Sequence, residues 1–324
     1  MSISTGFDTV TTIRANTIQN IRSFPGQNST IRFNGISTSS GWMDIKDNIF
    51  GSSDTSKTIW YNGSLQLINV TNTNSGVIRP VTISGNNITN IYTRQDSMIY
   101  LPTASYQRNM ILSSGNAPIE ISNNTISNIF SWQTPGNTPA GSSFLMKLSG
   151  ITISSQQKVV VKNNIITNLG NKAATPYTAS SKNFVYGIEN VGGLGDSSLI
   201  SSNKIMGLFS SNNEGGNDLV AGIFNTDGSS GGVTLNIVNN QITMPDNQSN
   251  LGMVFGIYAP GTGFYSSATN YFYNAVLLGG SSNSEQPSYA FFKVGGSSPQ
   301  YAVLKNNIFY NNRTNTNTDN FAIG

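Results

Sequence analysis

The stretch Ile119-Glu120-Ile121-Ser122-Asn123-Asn124-Thr125-Ile126-Ser127-Asn128-Ile129 decides how this chain folds. It opens with apolar residues at alternate positions and runs into the word Asn-x-Ile-x-Asn followed by an apolar residue. The word returns along the chain. Clear copies are Asn16-Thr17-Ile18-Gln19-Asn20-Ile21, Asn86-Asn87-Ile88-Thr89-Asn90-Ile91 and Asn164-Ile165-Ile166-Thr167-Asn168-Leu169. Looser copies stand at Asn203-Lys204-Ile205, Asn240-Gln241-Ile242, Asn270-Tyr271-Phe272-Tyr273-Asn274 and Asn307-Ile308-Phe309, and Asn48-Ile49-Phe50 fills an early gap. Their leading asparagines lie roughly 30 to 40 residues apart, the period range of repeat architectures.

Alternation precedes the other copies too: Val81 and Ile83 before Gly85, Val159 and Val161 before Asn163, Leu235 and Ile237 before Asn239. Period two over four to six residues, bounded by Asn, Gly and Ser, reads as half-buried strand. A second strand word comes earlier in several repeats: Tyr186-Gly187-Ile188, Ala221-Gly222-Ile223 and Phe255-Gly256-Ile257. No amphipathic helix of useful length appears. These features predict an all-β right-handed parallel β-helix over residues 1–324, with an Asn-rich corner and an Ile/Val/Leu interior. Asn suits such a corner because it tolerates the left-handed conformation and its amide can bond to the equivalent amide in the next coil. The stretches Ser131 to Ser143 and Asn171 to Ser181, rich in Pro, Gly, Thr and Asn, read as loops projecting from one side. A disordered Asn/Ser/Thr-rich chain fits poorly with 37% hydrophobic residues regularly placed, and a β-sandwich array does not explain the repeated word.

Composition narrows the chemistry. Of 324 residues only 10% are charged, and there is no cysteine and no histidine, which excludes disulfides, thiol chemistry, imidazole bases and the usual zinc ligand sets. The net charge of +3 is spread without a Lys/Arg cluster, so nucleic acid is not an expected partner. No run of about 18 apolar residues offers a membrane-spanning segment. No linker divides the chain. The start at Met1-Ser2-Ile3 lacks the pattern of a signal peptide, and the end at Phe321-Ala322-Ile323-Gly324 reads as a cut through a longer protein, so neighbouring domains of the same parent chain are expected partners.

Towards the C-terminus the pattern Asn270-Tyr271-Phe272-Tyr273-Asn274-Ala275-Val276-Leu277-Leu278-Gly279-Gly280, Tyr289-Ala290-Phe291-Phe292, Lys305-Asn306-Asn307-Ile308-Phe309-Tyr310-Asn311-Asn312-Arg313-Thr314 and Asn320-Phe321-Ala322-Ile323 resembles the parallel β-helix regions of large secreted Bacteroidetes proteins. Such proteins commonly carry a sorting domain for the type IX secretion system, which this chain lacks. The resemblance covers about the last sixty residues. It implies export to the outer face of the outer membrane and an adhesin-like role, secreted or at the cell surface, and it carries no catalytic motif.

Candidate chemistry is sparse, and no residue is nominated as catalytic, cofactor-binding or metal-ligating. Parallel β-helices also serve as scaffolds for polysaccharide lyases and hydrolases, which need converging carboxylates or Ca²⁺ with a base. The acidic groupings are Asp44 with Asp47, and Glu214 with Asp218 and Asp227; the first reads as solvated turn residues. The oxygen-rich loop Glu214-Gly215-Gly216-Asn217-Asp218 could hold Ca²⁺ weakly. Arg14, Arg22, Arg32, Arg79, Arg94 and Arg108 stand apart from these doublets. Trp42, Trp60, Trp132 and Tyr177 lie in or near loops and are the candidate platforms for stacking on sugar, against the plainer reading that they cover the ends of the apolar interior. Thr71-Asn72-Thr73 and Thr9-Val10-Thr11 are isolated and do not form an ice-binding array. The expected role is a structural or adhesive module toward glycans or other surface proteins, with a β-helical lyase or hydrolase, or a passenger captured in a larger surface or secretion assembly, as alternatives.

Overall fold

The computed structural model describes residues 2–3, 10–23, 32–72, 79–95, 105–133, 145–155, 157–173, 182–192, 197–211, 218–226, 234–244, 252–261, 267–281, 286–295, 300–314 and 319–324. Its strands pair in parallel throughout and stack into three sheets, with successive coils adding a strand to each. The first sheet runs from Ser2–Ile3 through Arg32–Thr38, Ser64–Asn72, Ser105–Gly115, Leu145–Ser155, Lys182–Asn190, Leu219–Asn225, Met253–Ala259 and Ser288–Lys293 to Asn320–Ile323. The second holds Val10–Arg14, Trp42–Lys46, Val81–Ser84, Ile119–Ser122, Val159–Lys162, Ser198–Ser201, Thr234–Val238, Ser267–Phe272 and Gln300–Lys305. The third runs from Thr17–Ile18 through Ile49–Gly51, Asn87–Gln95, Thr125–Gln133, Ile165–Ala173, Lys204–Met206, Gln241–Met244 and Ala275–Leu278 to Ile308–Asn311. The chain is therefore a parallel β-solenoid, and its one described helical element is the 3₁₀ turn Thr55–Lys57.

Alternation supplies the interior. Ile45, Ile83, Ile121, Val161, Ile200, Ile237 and Tyr271 form one inward column of the second sheet, in register from coil to coil. Phe50, Ile88, Ile126, Ile166, Ile205, Ile242 and Val276 form the facing column of the third. All belong to one continuous buried cluster. Full burial of each such side chain stabilises the fold by roughly 1.5–3 kcal/mol. The first-sheet strands pass closest to the third sheet where Gly187, Gly222 and Gly256 sit. A Cβ there would press on the carbonyl of the next coil and on Ile205, Ile242 or Val276 of the third sheet, which explains the Gly in the second strand word.

The corner between second and third sheets holds the repeated asparagine, and the structure divides between two residues what the sequence assigned to one. Asn16, Asn48, Asn86, Asn124, Asn164, Asn203, Asn240, Asn274 and Asn307 form an unbroken hydrogen-bonded ladder. Each Oδ1 after the first accepts from the backbone N–H and the Nδ2 of the previous asparagine, as at Asn124, which takes bonds of 3.0 and 2.9 Å from Asn86. Each Nδ2 from Asn48 onward also reaches back to the carbonyl three residues before the previous rung, such as Ile83 O for Asn124 at 2.9 Å. The left-handed turn belongs to the residue before the rung: Ala15, Asp47, Gly85, Asn123, Asn163, Ser202, Asn239, Tyr273 and Asn306 have φ between 54° and 66°. A second left-handed site closes the word at Asn20, Asn90, Asn128 and Asn168.

Two expectations shift. In the late copy Asn270-Tyr271-Phe272-Tyr273-Asn274 the rung is Asn274, because the residue before it makes the turn; Asn270 faces outward and donates to Asn236 Oδ1 at 2.9 Å. The expected loops begin later, since 131–133 and 171–173 extend third-sheet strands; 134–143 and 174–181 lie outside the described residues.

Removing an interior rung strands several buried groups at once. Asn124→Ala takes the acceptor from the buried Asn86 N–H and one bond each from Asn86 Nδ2, which keeps Ile45 O, and from Ile83 O, for an expected loss of roughly 2–3 kcal/mol in chemical denaturation. Asn16→Ala, at an exposed position with water available, should cost under about 1 kcal/mol in the same measurement.

Candidate functional site

The outward side of the first sheet carries the most organised side chains. One column reads Asn34, Gln66, Asn109, Ser149, then Tyr186, Ala221, Phe255, Tyr289, Phe321. The next reads Ser37, Asn69, Leu112, Thr152, Glu189, then Phe224, Tyr258, Phe292. Apart from Leu112 and Ala221, polar side chains occupy the early coils and aromatic ones the late coils. Glu189 sits where the two meet.

Glu189 is buried and fully engaged. Lys147 Nζ lies 2.7 Å from its Oε1, and Ser149 Oγ donates to Oε2 at 3.0 Å. Thr152 Oγ1 lies 2.9 Å from the same Oε2 and 3.0 Å from Asn109 Oδ1. One hydroxyl proton faces two acceptors, so Thr152 serves one of them at a time. Further along the polar row, Gln66 Oε1, Asn69 Oδ1 and Asn109 Nδ2 are buried with no hydrogen-bond partner among the described residues. Buried polar groups are ordinarily satisfied, which makes this row the under-satisfied part of the sheet.

The late coils form a stacked aromatic surface. Tyr186 and Phe224 rings lie 4.7 Å apart, Phe255 and Tyr258 4.4 Å, and Tyr289 and Phe321 5.2 Å, each pair close to parallel. Burial holds the Tyr186 hydroxyl protonated far above the usual tyrosine range, with Glu189 and then Tyr258 adding repulsion to the phenolate.

The tryptophans lie within strands and not in loops. Trp42 opens Trp42–Lys46 of the second sheet, with the Arg79 guanidinium 5.5 Å from its ring centre. Trp60 lies in Ile59–Asn62, which joins the third sheet, and packs with Tyr92 and Trp132 at ring distances of 4.6, 5.3 and 5.5 Å. These three rings project from the outward side of the third sheet, since Ile59, Tyr61, Ile91 and Ile129 beside them belong to the interior. Their near-parallel faces are largely occupied by one another, which leaves edges more than faces for a pyranose. Tyr177 lies outside the described residues.

The acidic groups do not gather. Asp44 faces outward, accepts from Thr82 and lies 3.5 Å from Lys46, whereas Asp47 occupies the exposed left-handed corner. Glu120 pairs with Lys162 at 3.1 Å. Asp218 is buried and accepts from Asn183 N–H at 3.1 Å and from Ser210 Oγ, while Glu214 and Asp227 lie outside the described residues. Among the described residues no three His, Cys, Asp or Glu side chains converge in a way that could hold a metal. Arg108, isolated in sequence, is fully buried and donates to Ser131 Oγ at 2.8 Å. The Lys147–Glu189 pair gave no signal in the sequence, since its partners stand 42 residues apart and meet only through coil register.

Lys147→Met removes the counter-ion of a buried carboxylate, and an equilibrium denaturation curve should show a loss of roughly 3 kcal/mol. The double change Lys147→Met/Glu189→Gln should recover part of it. Titration of Tyr186 gives a second expectation. Above about pH 10 the unfolded chain ionises this tyrosine while the folded chain keeps it protonated, so stability falls as pH rises. Tyr186→Phe should make that alkaline decline shallower by up to about 1.4 kcal/mol per pH unit. No known family model, curated protein or solved structure matches the chain.

Proposed function

We propose that this chain is a rigid structural and adhesive module of a secreted or cell-surface protein, presenting the outward side of its first sheet to glycans. The observation that carries the reading is the ladder from Asn16 to Asn307, which joins the coils into one stiff stack, while Asp44, Glu120, Glu189 and Asp218 are each bound to neighbours instead of converging on a common point. At about 4.8 Å per coil the described stack is roughly 40 Å long, a spacer with a patterned surface. Gln66, Asn69 and Asn109 give this side a polar row, with Gln66 Oε1, Asn69 Oδ1 and Asn109 Nδ2 buried and unpaired among the described residues. Scarcity of charge and absence of cysteine and histidine suit an extracellular scaffold more than a cytosolic enzyme. The finer address, a Bacteroidetes-type surface protein exported by type IX secretion, rests on the resemblance of the last sixty residues.

The purified chain should be retained on at least one of a panel of immobilised acidic and neutral polysaccharides, with or without Ca²⁺, and release no reducing-end or unsaturated product. Product release would overturn the reading in favour of a lyase or hydrolase. Retention on none of the panel would remove the adhesive part and leave the spacer.

A further inference from the structure

Three buried side chains on the outward side of the first sheet form an arrangement that neither a spacer nor a glycan surface requires. Asn109, Thr152 and Glu189 come from successive coils and are 0%, 3% and 3% exposed. Thr152 Oγ1 stands between the other two, 2.9 Å from Glu189 Oε2 and 3.0 Å from Asn109 Oδ1. Lys147 Nζ at 2.7 Å from Oε1 and Ser149 Oγ at 3.0 Å from Oε2 fix the carboxylate in place. A hydroxyl within reach of a base that further groups hold is the arrangement that activates an oxygen nucleophile. When the Thr152 proton turns to Glu189, the lone pairs of Oγ1 face the Asn109 amide.

That amide is placed as an electrophile. Its Oδ1 lies 3.0 Å from Oγ1, and a C=O bond is about 1.2 Å long, so its carbon is within about 4.2 Å of the hydroxyl oxygen. Near-attack separations are about 3–3.5 Å, and a small turn of either side chain covers the difference. The carbon stands in the same place whichever amide atom faces the hydroxyl. Asn109 Nδ2 has no hydrogen-bond partner among the described residues, so the leaving nitrogen is not tied down. Burial also excludes water, which would otherwise compete for the carbon and hydrolyse the product.

We infer that Thr152 and Asn109 join in an intramolecular ester, with Glu189 as the catalytic base and Lys147 and Ser149 as positioning residues. Thr152 Oγ1 attacks Asn109 Cγ while Glu189 takes the hydroxyl proton. The C–N bond then breaks, Glu189 passes the proton to the departing Nδ2, and ammonia leaves. One C–O bond replaces one C–N bond with no oxidation or reduction, and escape of ammonia into dilute solution draws the exchange forward. The ester ties Ser105–Gly115 to Leu145–Ser155, neighbouring strands of the stack. A covalent tie between coils resists unwinding under tension. It adds to the spacer reading and stands whether or not the sheet faces hold glycan.

The mass of the purified full chain, measured after denaturation, should fall short of its sequence by one ammonia. Trypsin cuts after Arg108, Lys147 and Lys158, so residues 109–147 and 148–158 should appear as one joined species. Hydroxylamine should part them and leave a hydroxamate at position 109. Thr152→Val, with the circular dichroism of the parent, should give the full mass and two separate peptides, while Thr152→Ser should keep the join. A parent chain of full mass, an ammonia lost at some other amide, or a join that persists in folded Thr152→Val would each overturn the inference.

Discussion

A parallel solenoid turns a corner in every coil, and at each corner the backbone must give up strand pairing without leaving its polar groups unpaired in the interior. The buried asparagine ladder meets that constraint. One amide oxygen accepts two N–H groups from the previous coil, and the amide nitrogen reaches both the next rung and a carbonyl of the previous coil. Register follows from it. The inward residue always stands three positions before the rung, as Ile83 before Asn86 and Ile121 before Asn124, and two positions after it, as Ile88 and Ile126. Rungs themselves are 32 to 40 residues apart, so length variation is absorbed elsewhere in the coil and never between the rung and its two inward neighbours.

That constancy is why the architecture was legible. A residue used identically in every coil recurs in sequence, and the alternation on either side marks the strands. What could not be read was the division of labour at the corner, because Asn123-Asn124, Asn163-Asn164, Asn239-Asn240 and Asn306-Asn307 place the same residue type in both roles. Ala15, Asp47, Gly85, Ser202 and Tyr273 hold the turn position in the other coils, and they show that the left-handed site accepts several residues while the rung is always Asn. Only an amide combines an acceptor for two donors with a two-proton donor at that point. Tyr273 also explains why Asn270 was mistaken for the rung: nothing about a tyrosine announces a left-handed turn.

The outward faces were illegible for a different reason. Glu189 meets Lys147 and Thr152 across separations of 42 and 37 residues, and Thr152 meets Asn109 across 43. These intervals match no common period, because loops of unequal length intervene. A pattern search tuned to the corner sees each such residue as a singlet. The same holds for the polar-to-aromatic switch along the first sheet, which exists only once the coils are in register.

The spacing of the coils then governs what those aromatic residues can do. Neighbouring strands in a sheet lie about 4.8 Å apart, close to the distance at which offset aromatic rings attract one another. Rings placed in register on consecutive coils therefore stack on each other, as Tyr289 and Phe321 do at 5.2 Å with planes 12° apart. Stacking buries the faces and turns edges outward, whereas a sugar ring needs a face. An aromatic column on a parallel solenoid thus stiffens the stack first, while the amide row before it leaves Gln66 Oε1 and Asn69 Oδ1 buried with no partner among the described residues. Residue type alone singles out Trp60 and Trp132 as sugar platforms; stacking in register turns their faces toward each other.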